Sequence, residues 1–318
     1  MRIKKGLLGF KRNKSTRLLG IDIRQNFIRL VGLSYVDSKY WIEACVNLEL
    51  ANLVISDEII VSAIKNILRQ ISSKNKSVAI ALSHTVVVCK EIQVACDLSP
   101  KDIDEFLRFN FAEHMGESKK NINFDYQAIE TTMATNNLIK LQTVAVRQER
   151  AEKLVKLLQA ANLCPKIIDV DVYALERAIR LQCKDIEKLT AVINIDYGCV
   201  LIMVLDSKQI VYMHEDIVDK ESLVSIDQIV ELFDTKLRLI YSVLSQPLNQ
   251  LILGGEKGLL PGLANAMSNK FNIQAMVADP FLGMELSAAV SQEHVSRLSP
   301  LMLISCGLAL RVRDNDEN

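Results

Sequence analysis

The chain opens with three apolar runs separated by short polar breaks. Residues 17–23, 27–33 and 41–48 are rich in Leu, Ile and Val and predict three consecutive strands. A helical period comes next in SDEIIVSAIKNILRQIS, where Ile60, Ile64, Ile67, Leu68 and Ile71 share a face. Ser56 is positioned to cap that helix, with Asp57 and Glu58 at its positive end. SVAIALS (77–83) and TVVVCKEIQV read as two further strands. LSPKDIDEFLRFNFAEHM predicts a helix capped by Ser99, with Pro100 in its first position and Asp102 three residues after the cap. Ile103, Phe106, Leu107 and Phe111 form its apolar face. GESKKN breaks the pattern. FDYQAIE and LIKLQTVAV are strands joined by the polar turn TNN, and RQERAEKLVKLLQAANLCP is a helix ending near Asn162. Strand, helix, strand, strand, helix between about residues 86 and 162 make a small α+β unit.

PKIIDVDVYALERAIR predicts a strand running into a helix. TAVINIDYGCVLIMVLDSKQIVYMHEDI then reads as three strands, the layout of the chain start, so two halves share one plan. SIDQIVELFDTKLRLIYSVL is a long helix with a Ser225/Gln228 capping box and a buried face of Ile229, Phe233, Leu237, Ile240 and Leu244. LNQLILGGEKGLLPGLANAMSNKF is strand, glycine turn and helix, and PLMLISCGLALRV is a final apolar helix before the polar tail RDNDEN.

Composition narrows the class. The 318 residues are 49% hydrophobic and 24% charged, an ordinary globular balance that needs no disulfide or metal to fold. Net charge is zero, which argues against a protein built around nucleic acid. Seven cysteines, an odd number without a CxxC pair, imply a reducing compartment, with Cys45, Cys89 and Cys199 expected to be buried thiols. No run reaches the about 20 apolar residues of a membrane span. The apolar part GLLGF of the first residues is too short for a signal peptide. Residues 1–17 hold seven basic residues and no acid. They read as a solvated tail, or as a weak contact to an anionic membrane surface through Ile3, Leu7, Leu8 and Phe10.

The motifs, taken in order, resemble the PilM family of type IV pilus assembly proteins, actin-like relatives of the cell-division protein FtsA. The resemblance is carried by LLGIDI…FIRLVGLS, FDYQAI, NLCPKIIDVDVYALERA, LILGGEKGLLPGL and SPLMLISCGLALR, and runs from about Arg17 to Arg311. It implies an actin-like two-lobed α/β fold with an inserted small α+β subdomain. The first lobe would hold residues 16–88 and 163–188, the insertion 89–162, and the second lobe 189–220 and 248–312. Residues 221–247 would be a small helical outgrowth, and residues 1–15 and 313–318 disordered ends.

The resemblance also implies where a nucleotide would sit, and there the chain departs from the family. The first turn, typically Gly-Ser-Ser, is Arg24-Gln25-Asn26, and Arg29 stands near the place of a lysine. The second hairpin, typically Asp-Ile-Gly followed by threonines, reads Asn194-Ile195-Asp196. Asp22 keeps the place of the first acid, and Gly254 and Gly255 keep the glycine turn. Phosphate-binding turns need converging N–H groups and usually glycine. Arg24 and Arg29 could reach phosphate by side chain, and Asp196 could support a metal from a shifted register. The set Asp22, Arg24, Gln25, Asn26, Asn194, Asp196, Gly254 and Gly255 is therefore a degraded site. No cofactor is expected; ATP with Mg²⁺ is what an intact site would take. His84, His114, His214 and His294 have no metal-ligand spacing, and no GxSxG or Cys–His signature marks a nucleophile.

The resemblance and these departures together imply a scaffold at the inner face of the membrane, peripheral to it, and not an enzyme. Within the family, the partner is the N-terminal cytoplasmic peptide of PilN, a bitopic inner-membrane protein. That peptide lies in a cleft which here would be lined by segments near 77–94 and 101–115. The rival readings are an actin-like ATPase whose nucleotide state switches partner affinity, and a small-molecule kinase on the same fold.

Overall fold

The computed structural model describes residues 17–50, 56–71, 75–129, 137–183, 189–196, 198–218, 225–244 and 246–315. The basic start 1–15 and the last residues of the tail lie outside them, as do 221–224 and 245 of the expected outgrowth.

Strands β1 (Arg17–Ile23), β2 (Phe27–Val36) and β3 (Lys39–Glu49) form an antiparallel meander. Helix α1 (Asp57–Gln70) leads to β4 (Ser77–Leu82), which lies parallel to β1. Then come β5 (Val87–Ala95), α2 (Pro100–Met115), β6 (Ile122–Ile129), β7 (Leu138–Arg147) and α3 (Gln148–Ala160). The chain returns as β8 (Cys164–Val170), parallel to β4, and continues into α4 (Asp171–Gln182). A second meander is formed by β9 (Thr190–Asp196), β10 (Cys199–Leu205) and β11 (Ile210–Ile217). After α5 (Ile226–Val243), β12 (Gln250–Gly254) joins β9 in parallel. The short α6 (Gly255–Gly258), α7 (Leu263–Phe271) and β13 (Gln274–Val277) complete this unit. Last come β14 (Glu285–Leu286), α8 (Gln292–Leu298) and α9 (Leu303–Ala309).

Three sheets result, ordered β14-β3-β2-β1-β4-β8, β11-β10-β9-β12-β13 and β5-β7-β6. The first two are the lobes of an actin-like α/β fold, each built on a three-stranded meander. Their central strands are buried on both faces, so they read as continuous apolar runs. On β10, Leu201, Met203 and Leu205 join a core shared with α4 and α9, whereas Val200, Ile202 and Val204 face α5 and α7. Helix α9 is buried along its whole length and packs between β1 and α4. Glycine makes this approach possible. A Cβ on Gly307 would come within 1.7 Å of the Ala174 carbonyl oxygen, and one on Gly20 within 2.0 Å of that of Ser305. The predicted caps Ser56, Ser99 and Ser225 all accept from the first helical turn, and the Ser225/Gln228 box closes in both directions.

Three boundaries differ from those expected on the sequence. Helix α3 is not part of the insertion: Ala151, Leu157 and Leu158 pack with Ile64 and Ile67 of α1 in the first lobe. Helix α5 is no outgrowth, because its stripe Ile229, Phe233, Leu237 and Ile240 is buried in the second-lobe core. The C-terminal part of 248–312 returns to the first lobe, where β14 pairs with Trp41 and Ile42 and α9 covers β1. Each difference arises from where an apolar face finds cover, which spacing along the chain does not specify. Among the cysteines, Cys45 is buried as expected, Cys199 is intermediate and Cys89 is exposed.

Candidate functional site

The two lobes meet where β1, β4 and β8 end on one side and β9 and β12 end on the other. This is the carboxyl edge where open α/β sheets usually bind ligands. The first hairpin turn closes with the Arg24 N–H donating to the Phe27 carbonyl at 2.9 Å. None of Arg24, Gln25 and Asn26 adopts positive φ, so the turn lacks the left-handed residue that glycine would supply.

Its side chains turn inward instead. Arg24 Nε donates to Asp22 Oδ1 and its Nη2 to Asp171 Oδ2, each at 2.9 Å. Asp171, at the start of α4, also accepts from the His84 backbone N–H at 2.9 Å, and the His84 ring Nδ1 lies 3.2 Å from the same oxygen. On the other side of that ring, Nε2 is 3.5 Å from Glu215 of β11 in the second lobe.

A second ion pair crosses between the lobes. Arg29, opposite Asp22 in the β1–β2 ladder, donates through both terminal nitrogens to Asp196 at 2.9 and 2.7 Å. Its Nε donates to Asn47 Oδ1 at 3.2 Å, and its guanidinium lies 3.7 Å from the Phe27 ring centroid. Asp196 also accepts from Asn194 Nδ2 at 3.1 Å and from the Glu256 N–H at 3.1 Å. The Arg29 side chain is 4% exposed and that of Asp196 11%. All three Arg29 guanidinium nitrogens therefore have partners inside the cleft.

The carboxylates respond differently to burial. Burial pushes the Asp22 carboxyl above its ordinary range, and Arg24 and Arg29 offset only part of that. At Asp171 burial acts the same way, but hydrogen bonds and charge from His84 and Arg24 overcome it and hold the group low. At Asp196 burial is likewise outweighed, mainly by Arg29, so it too is lowered. The hydrogen bond to Asp171 raises His84 against the effect of its burial. Burial would lower Arg24, but its two carboxylates win and its charge is secured.

Gly254 and Gly255 serve packing at this edge. Gly255 has φ +75°, and a Cβ there would lie 2.4 Å from the Ile195 carbonyl oxygen. A Cβ on Gly254 would meet Leu303 at 2.4 Å and Asn194 Oδ1 at 2.9 Å. Both let α6 sit against β9. Of the expected site residues, Asp22, Arg24, Asn194, Asp196, Gly254 and Gly255 do converge, while Gln25 and Asn26 take part in none of these side-chain bonds. Sequence reasoning does not find Asp171, His84 and Glu215. A signal exists for the first two: His84 comes just after β4 and Asp171 directly after β8, both at the ends of parallel strands.

An Mg²⁺-nucleotide does not fit this arrangement as it stands. Asp22, Asp171 and Asp196 each already bond a guanidinium, and carboxylates outnumber guanidiniums, so a phosphate chain would add like charge. Among the described residues no group of three or more His, Cys, Asp or Glu is arranged to hold a metal.

The insertion offers a different surface. Helix α2 buries Ile103, Leu107, Phe111 and Ala112 against the β5-β7-β6 sheet. Phe106, expected on that buried face, is 43% exposed, and Phe109 beside it 54%. Val86 and Leu98, flanking β5, are also exposed. Lys119 lies 4.8 Å above the Phe109 ring. Among the described residues, strand β5 is an edge strand that bonds β7 alone in its sheet.

The family model for the type IV pilus assembly protein PilM matches residues 20–238 and 239–313. The chain belongs to the PilM family. Its structure superposes on that of a PilM–PilN type IV pilus biogenesis complex with a TM-score of 0.77 at 17% identity, covering 94% of this chain and 99% of that one. The ethanolamine utilization protein EutJ from Carboxydothermus hydrogenoformans superposes with a TM-score of 0.53 at 13% identity, covering 94% and 92%. These likenesses agree with the two-lobed actin-like architecture. Among the described residues no single helix is long and apolar enough to cross a membrane. The bent pair α8 and α9 passes by composition only when joined, and α9 is core.

Proposed function

We propose that this PilM-family chain is a type IV pilus assembly scaffold whose cleft is held by its own ion pairs, and whose ligand is a protein segment bound at the insertion. The carrying observation is the Arg29–Asp196 pair, a two-toothed bridge between lobes at the turns that hold phosphate in an intact actin-like site. An intact site uses the nucleotide to join its lobes; here fixed side chains do so permanently. The partner is the N-terminal cytoplasmic peptide of a PilN-like inner-membrane protein, a reading supported by the likeness to a PilM–PilN complex. The exposed Phe106 and Phe109, with Val86 beside β5, suit an extended peptide carrying apolar side chains. The protein then stands on the cytoplasmic side and reaches the membrane through its partner.

The test is recruitment. Purified protein is mixed with anionic liposomes at physiological salt, with and without the partner's N-terminal peptide anchored in them. Sedimentation only with the peptide supports the reading, and removing residues 1–14 leaves it intact. Loss of recruitment on truncation, with unchanged peptide affinity in solution, makes the basic start the anchor and overturns it. Nucleotide-dependent recruitment favours the ATPase alternative.

A further inference from the structure

We infer that Arg24 is a built-in cation taking the place of a divalent ion in this cleft, fixing Asp22 and Asp171 in a metal-free arrangement. Asp22 lies near the end of β1 and Asp171 begins α4, and both side chains are buried. Two nitrogens along one guanidinium edge, Nε and Nη2, each take one carboxylate oxygen at 2.9 Å. Two carboxylates from separate elements converging on one cation is how proteins usually present hard oxygen ligands to a divalent ion, with water completing the shell. Here the guanidinium stands between them. It supplies one positive charge in a fixed fork and holds both carboxylates through two of its five N–H donors.

The two arginines therefore differ in kind. Arg29 is sealed, with 4% of its side chain exposed, and ties lobe to lobe. Arg24 is 31% exposed and ties two elements of the same lobe. Its removal leaves Asp22 Oδ1 and Asp171 Oδ2 without this partner. His84 stays on Asp171 Oδ1 and does not reach the Asp22 carboxylate among the contacts of this site. Two buried carboxylates would then face each other without their common cation, a costly state that an added ion can relieve.

This rests on the scaffold reading only in taking the cleft as closed to metal-bound nucleotide; peptide binding does not enter it. The experiment is thermal unfolding of the full chain and of Arg24→Ala, in EDTA and in millimolar Mn²⁺ or Mg²⁺. The wild-type midpoint should not respond to metal. Arg24→Ala should melt lower in EDTA and regain several degrees with Mn²⁺, binding one ion per chain by manganese paramagnetic resonance. Arg24→Ala/Asp22→Asn should lose that gain. Arg24→Gln, which keeps a neutral donor, is run in parallel. A metal response absent from both single variants, or equal in wild type or the double variant, overturns the inference. So does failure of both single variants to yield soluble protein whether or not manganese is supplied during expression, since the ion should replace the guanidinium. Wild-type affinity for the partner peptide is measured alongside: its loss sinks the scaffold reading and leaves the metal result standing.

Discussion

The interlobe cleft and the inserted subdomain treat their conspicuous side chains in opposite ways. In the cleft, Asp22, Asp171 and Arg29 are buried, Arg24 and Asp196 are partly so, and the five end on one another. On the insertion, Phe106 and Phe109 stand on a solvent-facing helix surface. Charged groups are almost never buried unless paired, and large aromatics left outside are the exception that calls for a reason. The cleft has the marks of a site completed from within, and the insertion those of a site awaiting a partner. This contrast is what the proposed function rests on when it assigns recognition to the added subdomain.

Breaking the cleft should have the largest effect. Arg29→Ala leaves Asp196 buried without its main cation, and loss of one member of a buried pair costs about 3–5 kcal/mol. Urea unfolding should show that loss. Arg29→Met combined with Asp196→Asn should recover part of it, because no unpaired charge remains. A double variant as unstable as the sum of both singles would mean the pair is not the unit described.

On the insertion the effect should fall on binding and spare stability. Phe106→Ala and Phe109→Ala should each weaken the partner peptide by about 2 kcal/mol or more if they are anchors. Their unfolding free energies should stay within about 0.5 kcal/mol of wild type, as for surface positions generally. Unchanged affinity by calorimetry would move the binding surface elsewhere.

Gly307→Ala tests the helix between the lobes. Its Cβ would clash with Ala174 backbone, which cannot swing aside, so a loss of about 1–3 kcal/mol is expected from overpacking. Ordinary stability in that variant would show that α9 can shift.

The smallest effect belongs to His84. Its folded value lies above the ordinary 6.5, so the fold favours the protonated ring. Its contribution is full below 6.5 and fades as pH rises through the folded value. The stability difference between wild type and His84→Gln should therefore be larger near about pH 6 than near about pH 8.5. Asp171 and Asp196 act in the other direction. Both are held below 3.8, so their contribution is full above that pH and lost as pH falls through the folded values.

Much of the fold can be read from spacing. Runs of β-branched and aliphatic residues mark both meanders, and serine caps mark three helix starts. These are local signals, complete within a few residues. The misassigned pieces depend on cover from far along the chain: α3 against α1, α5 against the second sheet, α9 against β1. The site divides in the same manner. Asp22, Arg24 and Asp196 sit in or beside turns whose departure from glycine is visible in the sequence. That Arg24 bonds Asp171, and Arg29 Asp196, is not visible there, because those partners meet only when the sheets assemble. Gly254 and Gly255 are visible as glycines, but only the Leu303 and Asn194 side chains beside the first and the Ile195 backbone beside the second show that packing requires them.

Above all, the cleft and the insertion differ in what they leave for a ligand, and the proposed function is that this chain binds a protein segment and not a nucleotide. Isothermal calorimetry on one preparation, titrated separately with Mg²⁺-ATP and with the partner's N-terminal peptide, puts that to the test. Saturable one-to-one heat for the peptide, reduced in Phe106→Ala, is expected, together with no binding heat for ATP. Micromolar ATP binding that Asp22→Ala abolishes would contradict it.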